Sequence, residues 1–226
     1  MNSLSLSAAD STSTRSSQPD PVVFVVDDDV SVREALELLI LSTGVRVETF
    51  ASAEEFLLRE RPRTPSCVIL DLNLPDVNGL EVQERIAASG VGMPIIFITA
   101  YGDVPVTVRA MKAGAVEFLT KPLHEDLLLN AVEEALRRSH VALAEELETR
   151  MIRDRYKLLS LRERQVMDLV VSGLLNKQVG GALGISEITV KAHRARVMQK
   201  MNAGSLAELV KIAARLRGRG TRSGGV

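Results

Sequence analysis

Acidic, hydroxyl and cationic side chains recur in this chain at one kind of place, the end of an apolar run. "VVFVV" is followed by Asp27, Asp28 and Asp29, "CVIL" by Asp71, and "PIIFI" by Thr99; Lys121 closes the run "VEFLT", just before Pro122. Taken singly, each has a bland reading. Three aspartates can cap a helix, Asp71 can open the turn "NLPDVNG", Thr99 can be a strand-end hydroxyl, and Lys121 a surface lysine. Their recurrence at successive run ends is what those readings explain badly. Carboxylates brought together raise one another's pKa values. A hard divalent ion relieves that repulsion, and oxygen donors of this type suit Mg²⁺, with Mn²⁺ as the alternative. Mg²⁺ keeps open positions that can reach a phosphoryl group. Thr99 could then donate to a phosphoryl oxygen while Lys121 supplies positive charge. The set is suited to placing a phosphoryl group on a carboxylate.

For these side chains to meet, the strand ends must share one rim. From Val22 to about Leu136, five apolar runs each precede a helical pattern. Strand followed by helix, repeated five times, predicts an α/β doubly wound five-stranded parallel sheet with helices on both faces. Runs apolar at nearly every position suit strands buried on both faces. Ligands of such sheets bind beyond the carboxyl ends of the strands, where the candidate residues fall. Ser31-x-x-Glu34 reads as a capping box and Gly114 as a helix stop.

The totals fit two domains. The chain has 226 residues, 46% hydrophobic and 25% charged, with length for about two ordinary domains. Residues 1–126 hold 10 Lys and Arg against 19 Asp and Glu, whereas residues 158–226 hold 12 against 4. An acidic first half and a basic last third predict different partners. The single Cys67 excludes an intrachain disulfide framework, and its place in "CVIL" reads as a buried hydrophobe. No run of about 20 apolar residues could cross a membrane, and the Ser- and Thr-rich start lacks a signal core. The expected location is therefore the cytoplasm.

The expected organisation is a disordered tail over 1–20, an α/β domain over 21–136, a helical linker over 137–157, an all-α domain over 158–216 and a disordered tail over 217–226. The stretch 123–157 has no internal Pro or Gly, so the last helix of the first domain should run on as a connector. From Ser160 the pattern is purely helical. A capping box at Ser160 and Glu163 opens "LRERQVMDLVVSG", followed by "NKQVGGAL", a turn at "GIS", "EITVKAHRARVMQKM" and "SLAELVKIAARL".

"VVDDD", "CVILDLNLPDVNGLE" and "PIIFITAYGDVPVTVRAMKAGAVEFLTKP" together resemble the receiver domain of two-component response regulators. The likeness covers about residues 20–136, in order and spacing. It implies that Asp71 accepts a phosphoryl group from a sensor histidine kinase. Asp27 and Asp28 would hold Mg²⁺ with Asp71, and the backbone carbonyl of Asn73 would complete the protein ligands. Lys121-Pro122 resembles the family's lysine before a cis proline. The same likeness implies that Thr99 moves to the phosphoryl group and Phe118 turns inward behind it, remodelling a face through which receivers dimerise.

"LSLRERQVMDLVVSGLLNKQVGGALGISEITVKAHRARVMQKM" resembles the LuxR/NarL-type helix-turn-helix. With the receiver's "GDVPVTVRAMKAGAVEFLTKP" it points to the FixJ-like subgroup. Val190 and Val197 should pack inward, leaving Lys191, Ala192 and Ala195 toward base edges in the major groove. Arg194, Arg196, Asn176 and Lys177 are better placed for phosphates. Thr189, His193 and Lys200 complete the expected DNA-facing set, His193 as a packing or phosphate-contacting residue. Gly180 and Gly181 stand where the family usually carries helix formers. At roughly 0.8–1 kcal/mol each relative to Ala, they predict a weak helix.

The expected function is a phosphorylation-dependent transcriptional regulator, not an enzyme, with at most weak autodephosphorylation. Its expected partners are a sensor histidine kinase, double-stranded promoter or operator DNA, a second copy of itself on phosphorylation, and RNA polymerase. A phosphatase of the haloacid dehalogenase type would need D-x-D on the first strand with the second Asp as acid. Here the candidate nucleophile ends the third run and position +2 is Asn73, which cannot serve as that acid.

Overall fold

The computed structural model describes residues 20–90 and 92–217; the expected tails lie almost wholly outside them. The described chain falls into two compact units that meet in sequence between Val141 and Ala142.

The first unit alternates β1 (Val22–Val26), α1 (Val30–Leu41), β2 (Arg46–Phe50), α2 (Ala53–Leu58), β3 (Ser66–Asp71), α3 (Gly79–Ala88), β4 (Ile95–Thr99), α4 (Val104–Lys112) and β5 (Glu117–Thr120), and ends in the first part of α5 (Glu125–Lys157), whose remainder from Ala142 belongs to the second unit. All strand pairings are parallel, in the order β2-β1-β3-β4-β5. β1, β3 and β4 are buried at every position. Their alternate residues feed two separate cores, as a period of two requires. Val22, Phe24, Val68 and Phe97 face α2 and α3, where Phe56, Val82 and Ile86 close over them. Val23, Val25, Ile69 and Ile98 face α1 and α5, where Leu36, Ile40, Leu128 and Val132 do the same. Cys67 lies in this second core, and burial pushes its thiol up to about 12. It is a packing residue, not a nucleophile.

Two helix ends decide where the site residues fall. The capping box expected at Ser31 and Glu34 does not form. Asp29 caps α1, taking hydrogen bonds from the Ser31 amide at 2.8 Å and the Ser31 hydroxyl at 2.6 Å. A charged acceptor one residue ahead of the first turn outcompetes a neutral hydroxyl already inside it. At α3, Asn78 caps the Leu80 amide. Gly79 lies so close beneath β3 that a Cβ there would sit 2.8 Å from the Asp71 carbonyl oxygen. Only glycine lets the helix start that near the strand end. As expected, Gly114 follows α4 in a left-handed conformation, φ 96°.

α5 runs 33 residues without a break, as expected for a helix that continues as the connector. Ser139 on α5 accepts the Ser66 amide at 2.9 Å, satisfying a buried donor at the start of β3.

The second unit contains α6 (Leu161–Val171), α7 (Asn176–Leu183), α8 (Glu187–Met201) and α9 (Leu206–Arg217). The Ser160/Glu163 capping box is present in both directions. Val166, Val170, Val179 and Val190 form one cluster, and Ile152, Met167, Val197, Met201 and Leu209 another. α7 forms as a full helix despite Gly180 and Gly181, and their environments differ. A Cβ on Gly180 would meet the Ile185 carbonyl oxygen at 2.8 Å, whereas Gly181 faces open space. Gly180 allows the chain to fold back tightly; Gly181 has no such reason. Gly184 then turns the chain into α8 with φ 66°.

Candidate functional site

The ends of β1, β3 and β4 and the residue after β5 converge on one rim. Asp27 is fully buried, Asp71 is 6% exposed and Thr99 is fully buried. Lys121 reaches between the two carboxylates, its Nζ 2.7 Å from Asp27 Oδ2 and 2.8 Å from Asp71 Oδ2. The repulsion expected among the aspartates is thus already offset in part by a cation of the chain itself.

Each carboxylate is further oriented by backbone. The Asp29 amide donates to Asp27 Oδ1 at 2.9 Å, and the Asn73 amide to Asp71 Oδ1 at 3.0 Å. From α1, Arg33 Nη1 donates to the Asp27 carbonyl at 2.7 Å. Burial pushes Asp27 above its ordinary pKa, although the Lys121 ammonium and the Asp29 amide pull the other way. Burial also works against the Lys121 charge, but Asp27 and Asp71 together outweigh it and hold the ammonium above its ordinary value.

Carboxylate oxygens of Asp27, Asp28 and Asp71 all lie within 4.8 Å of one another, and Asp28 is exposed. This is the one such cluster of His, Cys, Asp and Glu among the described residues. The donors are all hard oxygens and one member opens to solvent, so they fit a small divalent cation that retains water. Asp29 faces away into its helix cap, and its hydrogen bonds with Ser31 hold its carboxyl below the usual range.

Thr99 Oγ1 accepts a hydrogen bond from Asn73 Nδ2 at 3.2 Å and donates to the Tyr101 carbonyl at 3.2 Å. Its hydroxyl therefore reaches the β3–α3 loop through the Asn73 side chain. Phe118 is half-buried, its ring 6.1 Å from that of Phe97. Tyr101 is 81% exposed. The peptide between Lys121 and Pro122 is cis, in line with the resemblance.

In the second unit, α7, the turn at Gly184 and α8 make a helix-turn-helix. Val190 and Val197 are buried, as expected. Lys191, Ala192, Ala195 and Arg196 are exposed on α8, and Lys177 on α7. Lys191 pairs with Glu187 at 3.3 Å. Arg194 is half-buried and donates to Asn176 Oδ1 at 3.2 Å, tying α8 to the first residue of α7. Of three other members of the expected DNA-facing set, two are engaged within the fold and one is partly enclosed. Thr189 shares a 2.8 Å hydroxyl contact with the cap residue Ser186. His193 is half-buried with Nδ1 enclosed and unpartnered. Lys200 holds its ammonium 2.7 Å from Glu163 and 3.2 Å from the Leu158 carbonyl.

Reading the sequence missed Gly79 and Arg33. Gly79 had a signal, a glycine at the first position of the helix that follows a candidate nucleophile. Arg33 had none apart from its helical position.

Comparison with known proteins shows the family. The family model for the response regulator receiver domain matches residues 23–133. The model for bacterial regulatory proteins of the luxR family matches residues 157–213. Nodulation protein W of Bradyrhizobium diazoefficiens is 46% identical over 192 residues, 85% of each chain. Transcriptional regulatory protein FixJ of the same species is 40% identical over 193 residues, 85% of this chain and 94% of its own. Among solved structures, the response regulator StyR has a TM-score of 0.76 at 48% identity, covering 87% of this chain and 99% of that one.

Proposed function

The chain belongs to the two-component response regulators that join a receiver to a LuxR-type DNA-binding domain, and from that premise we propose that phosphorylation of Asp71 switches it into an operator-binding dimer. It is a transcriptional regulator of a two-component system; the phosphoacceptor, the switch residues and the dimer are the proposal. No helix among the described residues is long and apolar enough to cross a membrane.

The observation that carries the reading is Lys121 bridging Asp27 and Asp71. A sensor kinase's phosphohistidine breaks its P–N bond as an Asp71 carboxylate oxygen forms the new P–O bond. Lys121 is placed to follow the developing charge, since its ammonium already contacts Asp71. Asp27, Asp28 and Asp71, with the Asn73 carbonyl, would hold Mg²⁺ or Mn²⁺. When bound, the ion neutralises the carboxylates and the phosphoryl oxygens together.

The new phosphoryl group brings strong acceptor oxygens and added negative charge. Thr99 answers by exchanging its hydrogen bond to the Tyr101 carbonyl for one to a phosphoryl oxygen, and Phe118 moves into the space behind it. The outer face around β5 changes, and two receivers pair. In the second unit, Lys191, Ala192 and Ala195 face the bases, and Arg194, Arg196, Asn176 and Lys177 meet phosphates.

Labelling with a small phosphodonor in the presence of Mg²⁺ tests the proposal. Wild type should take up one phosphoryl group and shift toward dimer, and Asp71→Asn should do neither. Normal labelling of Asp71→Asn would overturn the assignment.

A further inference from the structure

Ile188 lies in the first turn of α8 and is 80% exposed. Single exposed apolar side chains are ordinary on soluble domains; this one stands out by its position. Ile188, Lys191, Ala192 and Ala195 are spaced i, i+3, i+4 and i+7, so they share one face of the helix. All four are exposed, whereas Val190 and Val197 on the other side are buried. In a helix-turn-helix the N-terminal part of the second helix approaches base edges, and Ile188 leads this face.

The chemistry of the face is uneven. Ala192 and Ala195 offer one methyl group each, and Lys191 has its ammonium against Glu187 at 3.3 Å. Ile188 offers the largest apolar surface. It is also β-branched, so its rotamer is nearly fixed in a helix and little freedom is lost on contact. Such a residue has no hydrogen bond to give to a base. In the major groove, the apolar feature presented by a base pair is the C5-methyl of thymine.

We propose that Ile188 reads a thymine methyl in each operator half-site, and so sets base preference at one position. The inference rests on the DNA-binding function proposed above. It assigns sequence discrimination to a side chain outside the basic set, and predicts discrimination by methyl contact more than by hydrogen bonding.

The test uses the full-length protein phosphorylated by a small phosphodonor. The probe is a duplex selected from a random library by phosphorylated wild type, then remade with each thymine replaced singly by deoxyuridine. At one thymine per half-site, losing the methyl should weaken wild-type binding about three- to fivefold, the effect of one buried methyl group. Ile188→Ala should bind that thymine and deoxyuridine equally, and Ile188→Val should retain part of the preference. An unchanged melting temperature for both variants shows that the fold is intact, as exposure leads one to expect. If a site is selected but no thymine shows an Ile188-dependent methyl effect, this inference falls while the DNA-binding reading stands. If phosphorylated wild type selects no sequence, both fall together.

Discussion

Gly180 and Ile185 approach so closely that a Cβ on the glycine would lie 2.8 Å from the Ile185 carbonyl oxygen. The Ile185 amide meanwhile donates to the Gly180 carbonyl at 3.0 Å. The two backbones are locked together where α7 gives way to α8. Gly181, the next residue, meets nothing within 4 Å. Adjacent glycines should therefore respond oppositely to alanine. Gly181→Ala should stabilise the second unit by about 0.5–1 kcal/mol, the helix-propensity gain. Gly180→Ala should destabilise it by about 1–3 kcal/mol through overpacking. Thermal unfolding of the two variants beside wild type checks both signs.

The Lys200–Glu163 pair should matter for folding before it matters for DNA. Glu163 is 3% exposed, and its hydrogen bonds, first from Lys200 and then from the Ser160 amide, hold its carboxyl below the ordinary 4.5. A depressed folded pKa gives stability that is present above about pH 4.5 and lost as pH falls through the lower folded value. Lys200→Met should cost about 1–3 kcal/mol at neutral pH and flatten that acid dependence. Melting temperatures of the second-unit transition between pH 7 and 3 would show it. An unchanged profile would mean the pair contributes nothing.

Divalent cation should stabilise the first unit in proportion to ln(1 + [ion]/Kd), about 2.7 kcal/mol at a hundredfold excess over Kd. Asp27→Asn and Asp28→Asn should each weaken the Mg²⁺-dependent rise in melting temperature. Asp29→Asn should leave it intact, since Asn caps a helix about as well as Asp. Asp29→Ala should lower stability by about 1 kcal/mol at every Mg²⁺ concentration. A Mg²⁺ response lost in Asp29→Asn would contradict the separation of roles.

Gly79→Ala should disturb the candidate phosphoacceptor from beneath. The added methyl meets the Asp71 carbonyl oxygen at 2.8 Å, with Leu72 Cα at 3.0 Å, so α3 or the end of β3 must move. The expected result is a loss of about 1–3 kcal/mol in stability and slower phosphodonor labelling of Asp71. Full labelling rate with reduced stability would confine the effect to packing.

How far these relationships could be foreseen depended on range. Strand-end residues were legible because period and sheet topology alone bring Asp27, Asp71, Thr99 and Lys121 to one rim. The five-stranded parallel sheet and the unbroken α5 followed from the same patterning. The cap of α1 was misplaced because Ser31-x-x-Glu34 and Asp29 both satisfy helix-start chemistry, and only geometry shows which acceptor reaches the Ser31 amide. The value of Gly180 was hidden because its constraint comes from a backbone five residues later. Lys200 looks in the sequence like one more cation on a basic helix, since nothing local shows that Glu163 lies 37 residues earlier. Ile188 carries no signal in a helix whose pattern is set by charge, because an exposed hydrophobe there is ordinary.

The run Asp27-Asp28-Asp29 looks like insurance, three copies of one side chain so that the loss of one is covered by its neighbours. The fold denies any such cover. As the chain leaves β1, successive side chains point in different directions: one is buried on Lys121, one opens to water, and one turns back onto α1. Spelling the same amino acid three times therefore creates three separate points of failure. Asp29 fails alone, through the cap of α1, whereas Asp27 and Asp28 fail differently at one shared cation seat.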